Sequence, residues 1–209
     1  MMSGQVCMAI KRIYVPSRRS DEFLDKFSKA VDSLVVGDGL EPSVTLGPVH
    51  TGKALARASG LVEDAARRGA DVRPLGKIDS EATYAKGHFM RPTVVTGIAD
   101  DALLMAEEQF CPAIPVTTYD SIDEAIARAN TSPFGLGGSV WGRDTDRAIE
   151  VARKVEAGQV WVNTHGVLAI NHLAPYGGVK QSGIGRKSGI EGIQEYVQSQ
   201  TITTLEKSL

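Results

Sequence analysis

Cys7 is the residue whose sequence context best fits a catalytic nucleophile. It follows Gly4-Gln5-Val6 and precedes a short apolar and basic stretch. A chain that turns at a glycine and then enters a regular element presents a thiol beside free backbone amides, which stabilise a thiolate and can hold an oxyanion. An isolated cysteine more commonly packs as a small buried apolar residue. The local context leaves both interpretations open.

Other reactive side chains form no recognisable site in the sequence. The four histidines have no metal-ligand spacing with cysteine or carboxylate residues, so the sequence predicts no metal site. His165 and His172 follow a predicted strand, at the end of a sheet where α/β folds place active sites, with hydrogen-bonded loop histidines as the alternative. Glu107 and Glu108 are adjacent, so at most one of them faces a given pocket, because successive side chains of an extended chain alternate sides.

The glycine-rich segments do not form a nucleotide-binding fingerprint. Residues 135–138 lack the last glycine of G-x-G-x-x-G, and residues 183–189 have one residue too many before it. Neither segment matches G-x-x-x-x-G-K-[ST]. These glycines are predicted to serve turns and close backbone packing.

Composition restricts the function classes. The 209 residues are 42% hydrophobic and 23% charged, as in a folded globular protein. Lys and Arg number 23 against 25 Asp and Glu, so no net positive field favours nucleic acid. The two cysteines suit a reducing, cytoplasmic setting. The N-terminus has no secretory pattern and no apolar run approaches the roughly 20 residues that span a membrane, so we expect neither export nor a membrane partner.

Strands and helices alternate along the chain. A strand is predicted at 113–118, and Ser121 with Glu124 forms a capping-box pattern that begins a helix ending near Asn130. A left-handed Gly158 is expected to close a later helix. The remaining predicted elements are strands at 10–15, 136–141 and 159–163, helices at 21–35, 49–68, 145–157 and 190–196, a loop at 76–91 and a β-prone run at 199–205. This order predicts an α/β fold with a mostly parallel sheet flanked by helices.

Five motifs, in one order along nearly the whole chain, support a family resemblance. They are Gly4-Gln5-Val6-Cys7, Gly47-Pro48, Glu107–Pro112, Gly158–Asn163 and Pro175–Arg186. In this combination they closely resemble the C-terminal, catalytic half of the aldehyde dehydrogenase superfamily. The resemblance adds to the local argument for Cys7 as a nucleophile.

The resemblance implies an NAD- or NADP-dependent oxidation of an aldehyde substrate to a carboxylic acid. In the family a cysteine thiolate attacks the aldehyde, the thiohemiacetal passes a hydride to the cofactor, and water hydrolyses the thioester. Cys7 matches this nucleophile, and its own backbone amide matches part of the oxyanion hole. Glu108 and Phe110 match cofactor-binding positions at the nicotinamide-side ribose. The residues that fall where the family builds its aldehyde pocket are Asn163, Leu168 and Tyr176.

The resemblance also implies a domain organisation. Residues 1–198 match the catalytic domain and residues 199–209 an oligomerisation strand and tail, so a homo-oligomer is expected. Only six residues precede Cys7, so the family's N-terminal dinucleotide-binding domain, its general-base glutamate and its oxyanion-hole asparagine are expected to be absent. Little or no turnover is therefore predicted for the chain alone.

Two residues depart from the family pattern, and the expected absence of the N-terminal domain leaves other functions open. Cys111 stands where the family has a glycine, and Ala54 where many members have a ribose-binding glutamine. One alternative is a non-catalytic oligomerisation or interaction module derived from the same fold. The other is an esterase that uses Cys7 with a loop histidine.

Overall fold

The computed structural model describes residues 2–205, and the chain divides into two units after Ser132. The first unit is built around a four-stranded sheet. Its elements are β1 (Ile13–Pro16), α1 (Ser20–Asp32), β2 (Val35–Val36), α2 (Gly52–Arg67), β3 (Asp71–Pro74), β4 (Lys77–Ile78), α3 (Glu81–Tyr84), β5 (Thr93–Thr96), α4 (Leu103–Ala106), β6 (Ala113–Tyr119) and α5 (Ile122–Asn130).

The sheet of the first unit has the strand order β1-β6-β5-β3. Strands β1 and β5 run parallel to β6, with Ile13 opposite Val116 and Thr93 opposite Ala113. The edge strand β3 is antiparallel to β5. The parallel pairs need crossover connections, which α1 and α2 help to provide. The predicted α/β class with a mostly parallel sheet is therefore confirmed.

Adjacent residues of β5 face two separate cores. Val95 packs with Leu61 of α2 and Leu104 of α4. Val94 packs in a second cluster, which Phe27 of α1 covers. Successive side chains of a strand point to opposite faces of the sheet, so both faces of this sheet are covered by helices. The middle of β5, Val94-Val95, is accordingly apolar on both faces.

Helix α5 begins where the capping pattern predicted. The Ser121 hydroxyl accepts a hydrogen bond of 3.2 Å from the Glu124 N–H. The Glu124 carboxylate accepts one of 3.0 Å from the N–H of Asp120, one residue before the cap. The two side chains thus satisfy amides that the first helical turn leaves free. The helix ends at Asn130, as expected.

The second unit, Pro133–Leu209, has shorter elements. They are β7 (Phe134–Gly135), β8 (Gly137–Val140), α6 (Thr145–Ala152), β9 (Gln159–Val162), β10 (Val179–Lys180) and α7 (Gly189–Gln194). Strand β8 runs parallel to β9, and β10 is antiparallel to β7. In residues 2–205, no helix combines the length and apolar character that crossing a membrane requires.

Helix α6 is shorter than the predicted 145–157, because residues 153–158 form turns and bends. The expectation of a left-handed Gly158 is wrong, since its φ is not positive. Glycine is needed there for a different reason. A Cβ on Gly158 would overlap the carbonyl oxygen of Gly177, so the two backbones approach too closely for any side chain.

Two other segments differ from their predicted state. The expected loop at 76–91 contains β4 and α3, which are too short to produce a hydrophobic period. The β-prone run at 199–205 forms no strand in the described chain, because a strand requires hydrogen bonds to a neighbouring strand. Residues 206–209 of the predicted tail lie outside the described residues. The domain boundary after residue 198 stays a prediction.

Candidate active site

Cys7 lies at the corner of a tight turn and is exposed. The turn is closed by a hydrogen bond of 3.0 Å from the Ala9 N–H to the Val6 carbonyl oxygen. Just before it, Ser3 and Gly4 have φ values of 50° and 74°, in the left-handed region that favours glycine. The chain therefore turns at Gly4 and presents the thiol to solvent. This exposure excludes the interpretation of Cys7 as a small buried apolar residue.

Gly4 also meets a steric requirement. A Cβ on Gly4 would overlap the carbonyl oxygen of Cys111. The loop that carries Cys7 thus packs backbone against backbone on the segment that carries Glu108 and Phe110. Contact at this distance is possible only without a side chain at position 4. One close approach brings two of the predicted site motifs together.

The second cysteine is in a different environment. Cys111 is only 4% exposed and belongs to the core formed with α2 and α4. Burial raises the pKa of the Cys111 thiol, against smaller opposite effects of a backbone hydrogen bond at Ala113 and the charges of Lys11 and Arg57. A buried thiol with a raised pKa is a poor nucleophile near neutral pH. Cys111 therefore serves packing in the position where the family has glycine.

Hydrogen bonds to the Gly47-Pro48 motif anchor the Cys7 loop. The buried Ser3 hydroxyl donates to the Gly47 carbonyl oxygen at 2.6 Å. The Gln5 side chain donates to the Pro48 carbonyl at 3.4 Å and accepts from the His50 N–H at 2.7 Å. Each bond of this kind contributes about 0.5–1.5 kcal/mol net. The second motif of the sequence thus serves to hold the first.

Residues 107–110 present successive side chains to different surroundings. The Glu107 carboxylate pairs with Arg57 of α2 at 2.6 Å. Arg57 also donates to the Glu108 carbonyl oxygen at 2.9 Å, which fixes the backbone of the segment. The Glu108 carboxylate interacts with Lys11, as does the Phe110 ring. Glu107 and Glu108 therefore have different cationic neighbours, Arg57 and Lys11.

Gln109 lies between these exposed residues and is buried. Its side-chain nitrogen donates to the Lys11 carbonyl oxygen at 2.8 Å and to the Ala113 carbonyl oxygen at 3.2 Å. A buried amide that bridges two backbone carbonyls holds both chain segments in one register. Gln109 thus fixes the strand entrance at Lys11 relative to residues 108–110.

Lys11 lies at the centre of the group formed by these segments. Its ammonium donates to the carbonyl oxygens of Gly4 at 3.2 Å and Val6 at 3.1 Å. It also lies 4.5 Å from the centroid of the Phe110 ring. Burial lowers the pKa of Lys11 below its ordinary value, while the charges of Glu108, Cys111 and Cys7 act in the opposite direction.

The three predicted aldehyde-pocket residues lie in the second unit. Asn163 has a φ of 54° and accepts a hydrogen bond of 2.8 Å from the Gly142 N–H on its side-chain oxygen. Leu168 is fully exposed in a single 3₁₀ turn, Val167–Ala169. Tyr176 is only 6% exposed. The three side chains thus occupy different environments: a turn, the solvent and the interior.

Tyr176 borders a cleft of about 320 Å³ in the second unit. Its ring lies 5.1 Å from the Lys187 ammonium, and the two residues exchange backbone hydrogen bonds of 2.7 and 2.8 Å. His165 packs edge-on against the Trp161 ring at 4.8 Å, so this loop histidine is held by an aromatic contact. In residues 2–205, no cluster of three or more His, Cys, Asp or Glu side chains could hold a metal ion.

Of the predicted site residues, Cys7, Glu108 and Phe110 lie in the first unit, where Lys11 interacts with all three. Sequence reasoning gave no role to Lys11 or Gln109. The available signal was a polar residue in an apolar stretch, since Lys11 follows Ala9-Ile10 at the entrance to β1. That signal does not reveal which carbonyls or which ring the ammonium contacts.

Comparisons with known proteins agree with this fold. Residues 1–202 match the aldehyde dehydrogenase family. The chain is 38% identical over 198 residues to a non-phosphorylating aspartate-semialdehyde dehydrogenase of Halomonas elongata, covering 94% of this chain and 39% of the relative. It is 36% identical over 196 residues to an NADP⁺ succinate-semialdehyde dehydrogenase of Escherichia coli, with the same two coverages, 94% and 39%.

Solved structures give the same result in three dimensions. A betaine aldehyde dehydrogenase of Staphylococcus aureus in complex with NAD⁺ superposes with a TM-score of 0.85 and 34% identity, covering 93% of this chain and 38% of that one. A Mycobacterium tuberculosis aldehyde dehydrogenase complexed with NAD⁺ gives 0.87 and 32%, covering 94% and 40%. The fold and the motifs therefore define the structural class, an α/β protein of aldehyde dehydrogenase type. The chain belongs to the aldehyde dehydrogenase family, and it spans about two fifths of the length of these relatives.

Proposed function

We propose that the protein acts in the NAD(P)-dependent oxidation of an aldehyde to a carboxylic acid, with Cys7 as the nucleophile. The observation that carries the proposal is the exposed Cys7 thiol on a turn whose Cys7 N–H donates to no group among residues 2–205. In the first step the thiolate sulfur forms a bond to the aldehyde carbon, and the carbonyl oxygen takes the displaced electron pair. The Cys7 N–H donates a hydrogen bond to this oxyanion.

Glu108 and Phe110 are proposed to hold the nicotinamide-side ribose of NAD⁺ or NADP⁺. Phe110 is 37% exposed and has a φ of 46°, a conformation that costs a non-glycine residue about 1–3 kcal/mol and is concentrated at functional sites. The carboxylate of Glu108, two residues before Phe110, can accept hydrogen bonds from sugar hydroxyls. The pair therefore fits a sugar, with an apolar ring beside an acceptor. When bound there, the cofactor supplies the hydride acceptor that the oxidation requires.

The relatives support both parts of the proposal. The Escherichia coli relative is an NADP⁺ enzyme by name, and the two solved structures are complexes with NAD⁺. The aldehyde would contact the segment of Asn163, Leu168 and Tyr176. The exposed Leu168 supports this role, because it offers an apolar surface. The Asn163 side chain is bonded to the Gly142 N–H and Tyr176 is nearly buried, so Leu168 is the strongest of the three candidates.

Acylation by p-nitrophenyl acetate tests Cys7 as the nucleophile. The sulfur forms a bond to the ester carbonyl carbon, the carbon–oxygen bond breaks, and p-nitrophenolate leaves with the electron pair. We expect a stoichiometric burst that Cys7→Ala abolishes. Cys111→Ala is the matched control and should keep the burst, because Cys111 is buried. A burst that survives in Cys7→Ala would rule out this nucleophile.

A second candidate function, association of the chain with copies of itself, rests on the apolar surface near the C-terminus. Large apolar side chains of residues 190–205 are exposed; they are Ile190, Ile193, Tyr196, Val197, Ile202 and Leu205. Soluble monomers seldom expose so many apolar residues close together in the chain. We propose that this surface, with the β-prone run at 199–205, forms the contact of a homo-oligomer.

Light scattering at about 50 µM, a concentration that detects weak interfaces, tests this association. We expect dimers or larger assemblies that Ile193→Asp weakens. Leu40→Asp is the matched control, because Leu40 is an exposed leucine of the first unit outside the proposed surface. A strictly monomeric mass of the unaltered chain would contradict the proposed association.

A further inference from the structure

The peptide group between Val6 and Cys7 has an unusual set of partners. Its carbonyl oxygen, on Val6, accepts hydrogen bonds from the Ala9 N–H at 3.0 Å and from the Lys11 ammonium at 3.1 Å. Its N–H belongs to Cys7 and has no acceptor among residues 2–205. One end of this peptide dipole is therefore bound by two donors, one of them a full positive charge, while the other end is free.

We propose that Lys11 is a positioning residue that fixes and polarises the Val6–Cys7 peptide, so that the Cys7 N–H becomes a stronger oxyanion donor. The inference rests on the proposed function, in which Cys7 is the nucleophile. A cation on the carbonyl oxygen withdraws electron density through the conjugated amide, and hydrogen bonds in a chain strengthen one another in this way. Pre-oriented donors of this kind stabilise the charge that develops in acyl transfer.

The surroundings of Lys11 hold its ammonium in this position. The carbonyl of Gly4 accepts a second hydrogen bond from it at 3.2 Å, and the Phe110 ring lies 4.5 Å away as a cation–π partner. The carbonyl oxygen of Lys11 accepts a hydrogen bond of 2.8 Å from the side-chain nitrogen of Gln109. The side chain is therefore constrained at both ends, which reduces the entropy that each hydrogen bond must overcome. A lysine on a solvated surface would not maintain such a contact.

The protonation of Lys11 depends on its burial and on the charged groups around it. The titratable groups that interact with it are Glu108, Cys111 and Cys7, which favour its charged form, and Arg12, which opposes it. Burial is the largest effect and lowers the pKa of Lys11 below its ordinary value. The ammonium therefore loses its proton at a lower pH than a free lysine, and the polarisation of the peptide should weaken as it does.

The test compares two reactions of the Cys7 thiolate. Acylation by p-nitrophenyl acetate passes through an oxyanion, whereas alkylation by iodoacetamide displaces iodide and forms no oxyanion. In Lys11→Met we expect the rate of acylation to fall about tenfold. The rate of alkylation, measured at a pH where the thiol is ionised, should change less than about twofold. The loss is smaller than the 10²–10³-fold of deleting an oxyanion donor, because the N–H itself remains. Lys11→Arg should recover most of the acylation.

A pH profile keeps the test independent of how well Lys11→Met folds. In the unaltered chain, the ratio of acylation to alkylation should fall as the pH rises and Lys11 loses its proton. The fall should come at a lower pH than the ordinary lysine pKa of about 10.4, because burial lowers the pKa of Lys11. In Lys11→Arg the ratio should stay level, because arginine keeps its charge. A flat ratio in the unaltered chain, or equal losses of both reactions in Lys11→Met, would overturn the role of Lys11. Absence of any Cys7 acylation in the unaltered chain would instead contradict the proposed function.

Discussion

The segment around Cys7 and the segment around Leu168 were both predicted to belong to one site, but they are held very differently. In the first, the polar side chains of Ser3, Gln5 and Lys11 all bond to backbone atoms within the first unit. In the second, Leu168 is fully exposed, and the adjacent Ala169 carbonyl oxygen accepts one hydrogen bond of 3.0 Å from the Trp161 side chain. A group that must be placed within a fraction of an ångström requires several such hydrogen bonds, and one that only offers apolar surface does not.

This difference divides the proposed reaction into two parts. The atoms needed to acylate a thiol lie together in the first unit: a sulfur, an amide donor and a cation. No residue within 2–205 is proposed to bind the rest of the dinucleotide or to activate the hydrolytic water. The 209 residues correspond to about two fifths of each relative. We therefore expect the chain by itself to perform the first part of the reaction and not the second.

The largest expected effect concerns steady turnover. Loss of a positioned general base lowers a rate by about 10²–10⁴-fold, and loss of orientation of the reacting groups acts in the same direction. The 209-residue chain should give a burst of p-nitrophenol without steady turnover, and no sustained NADH or NADPH formation from aldehydes. Absorbance at the wavelength of the reduced nicotinamide, with a full-length relative as positive control, measures this. Sustained formation that Cys7→Ala abolishes would show that a base and a cofactor site are present.

The two cysteines provide the next largest effect. We expect iodoacetamide to label Cys111 about 100-fold more slowly than Cys7, because a buried thiol reacts only through local openings that cost about 3 kcal/mol. The raised pKa of Cys111 means that its thiolate forms only at higher pH, so its labelling should lag as the pH increases. Peptide mass mapping across the pH range resolves the two sites. Equal slow labelling of both thiols would contradict the prediction that Cys7 is the more accessible and reactive cysteine.

Alanine substitutions at two glycines have a smaller expected effect, and they compare the packing of the Cys7 segment with that of the Leu168 segment. Gly4 and Gly166 have φ values of 74° and 89°, so alanine at either position is strained by about 1–2 kcal/mol. Only at Gly4 would the new Cβ meet another backbone, whereas nothing lies within 4 Å at Gly166. Gly4→Ala should therefore lose about 1–3 kcal/mol more of the free energy of unfolding than Gly166→Ala. Urea denaturation measures both, and equal losses would contradict the close packing of the Cys7 loop.

Regular elements with strong local signals were predictable from the sequence. Helix α5 has its cap at Ser121 and its end at Asn130, as the capping pattern indicated. The two-residue strand β4 and the single-turn helix α3 were predicted as loop, because elements this short carry no period of their own. Gly158 was predicted to end a helix with a positive φ, but glycine is required there because its backbone lies against Gly177. That contact involves a segment nearly twenty residues away in the chain.

By itself, the sequence determined the α/β class, the order of the motifs and Cys7 as the candidate nucleophile, because these depend on residue type and local spacing. Only the tertiary structure decided which groups surround that thiol. Gly4 meets Cys111, and Lys11 meets Phe110, across about a hundred residues of chain, through parallel pairing of β1 with β6. Such contacts arise from strand order and register, and no local pattern encodes the distance between two atoms brought together in this way.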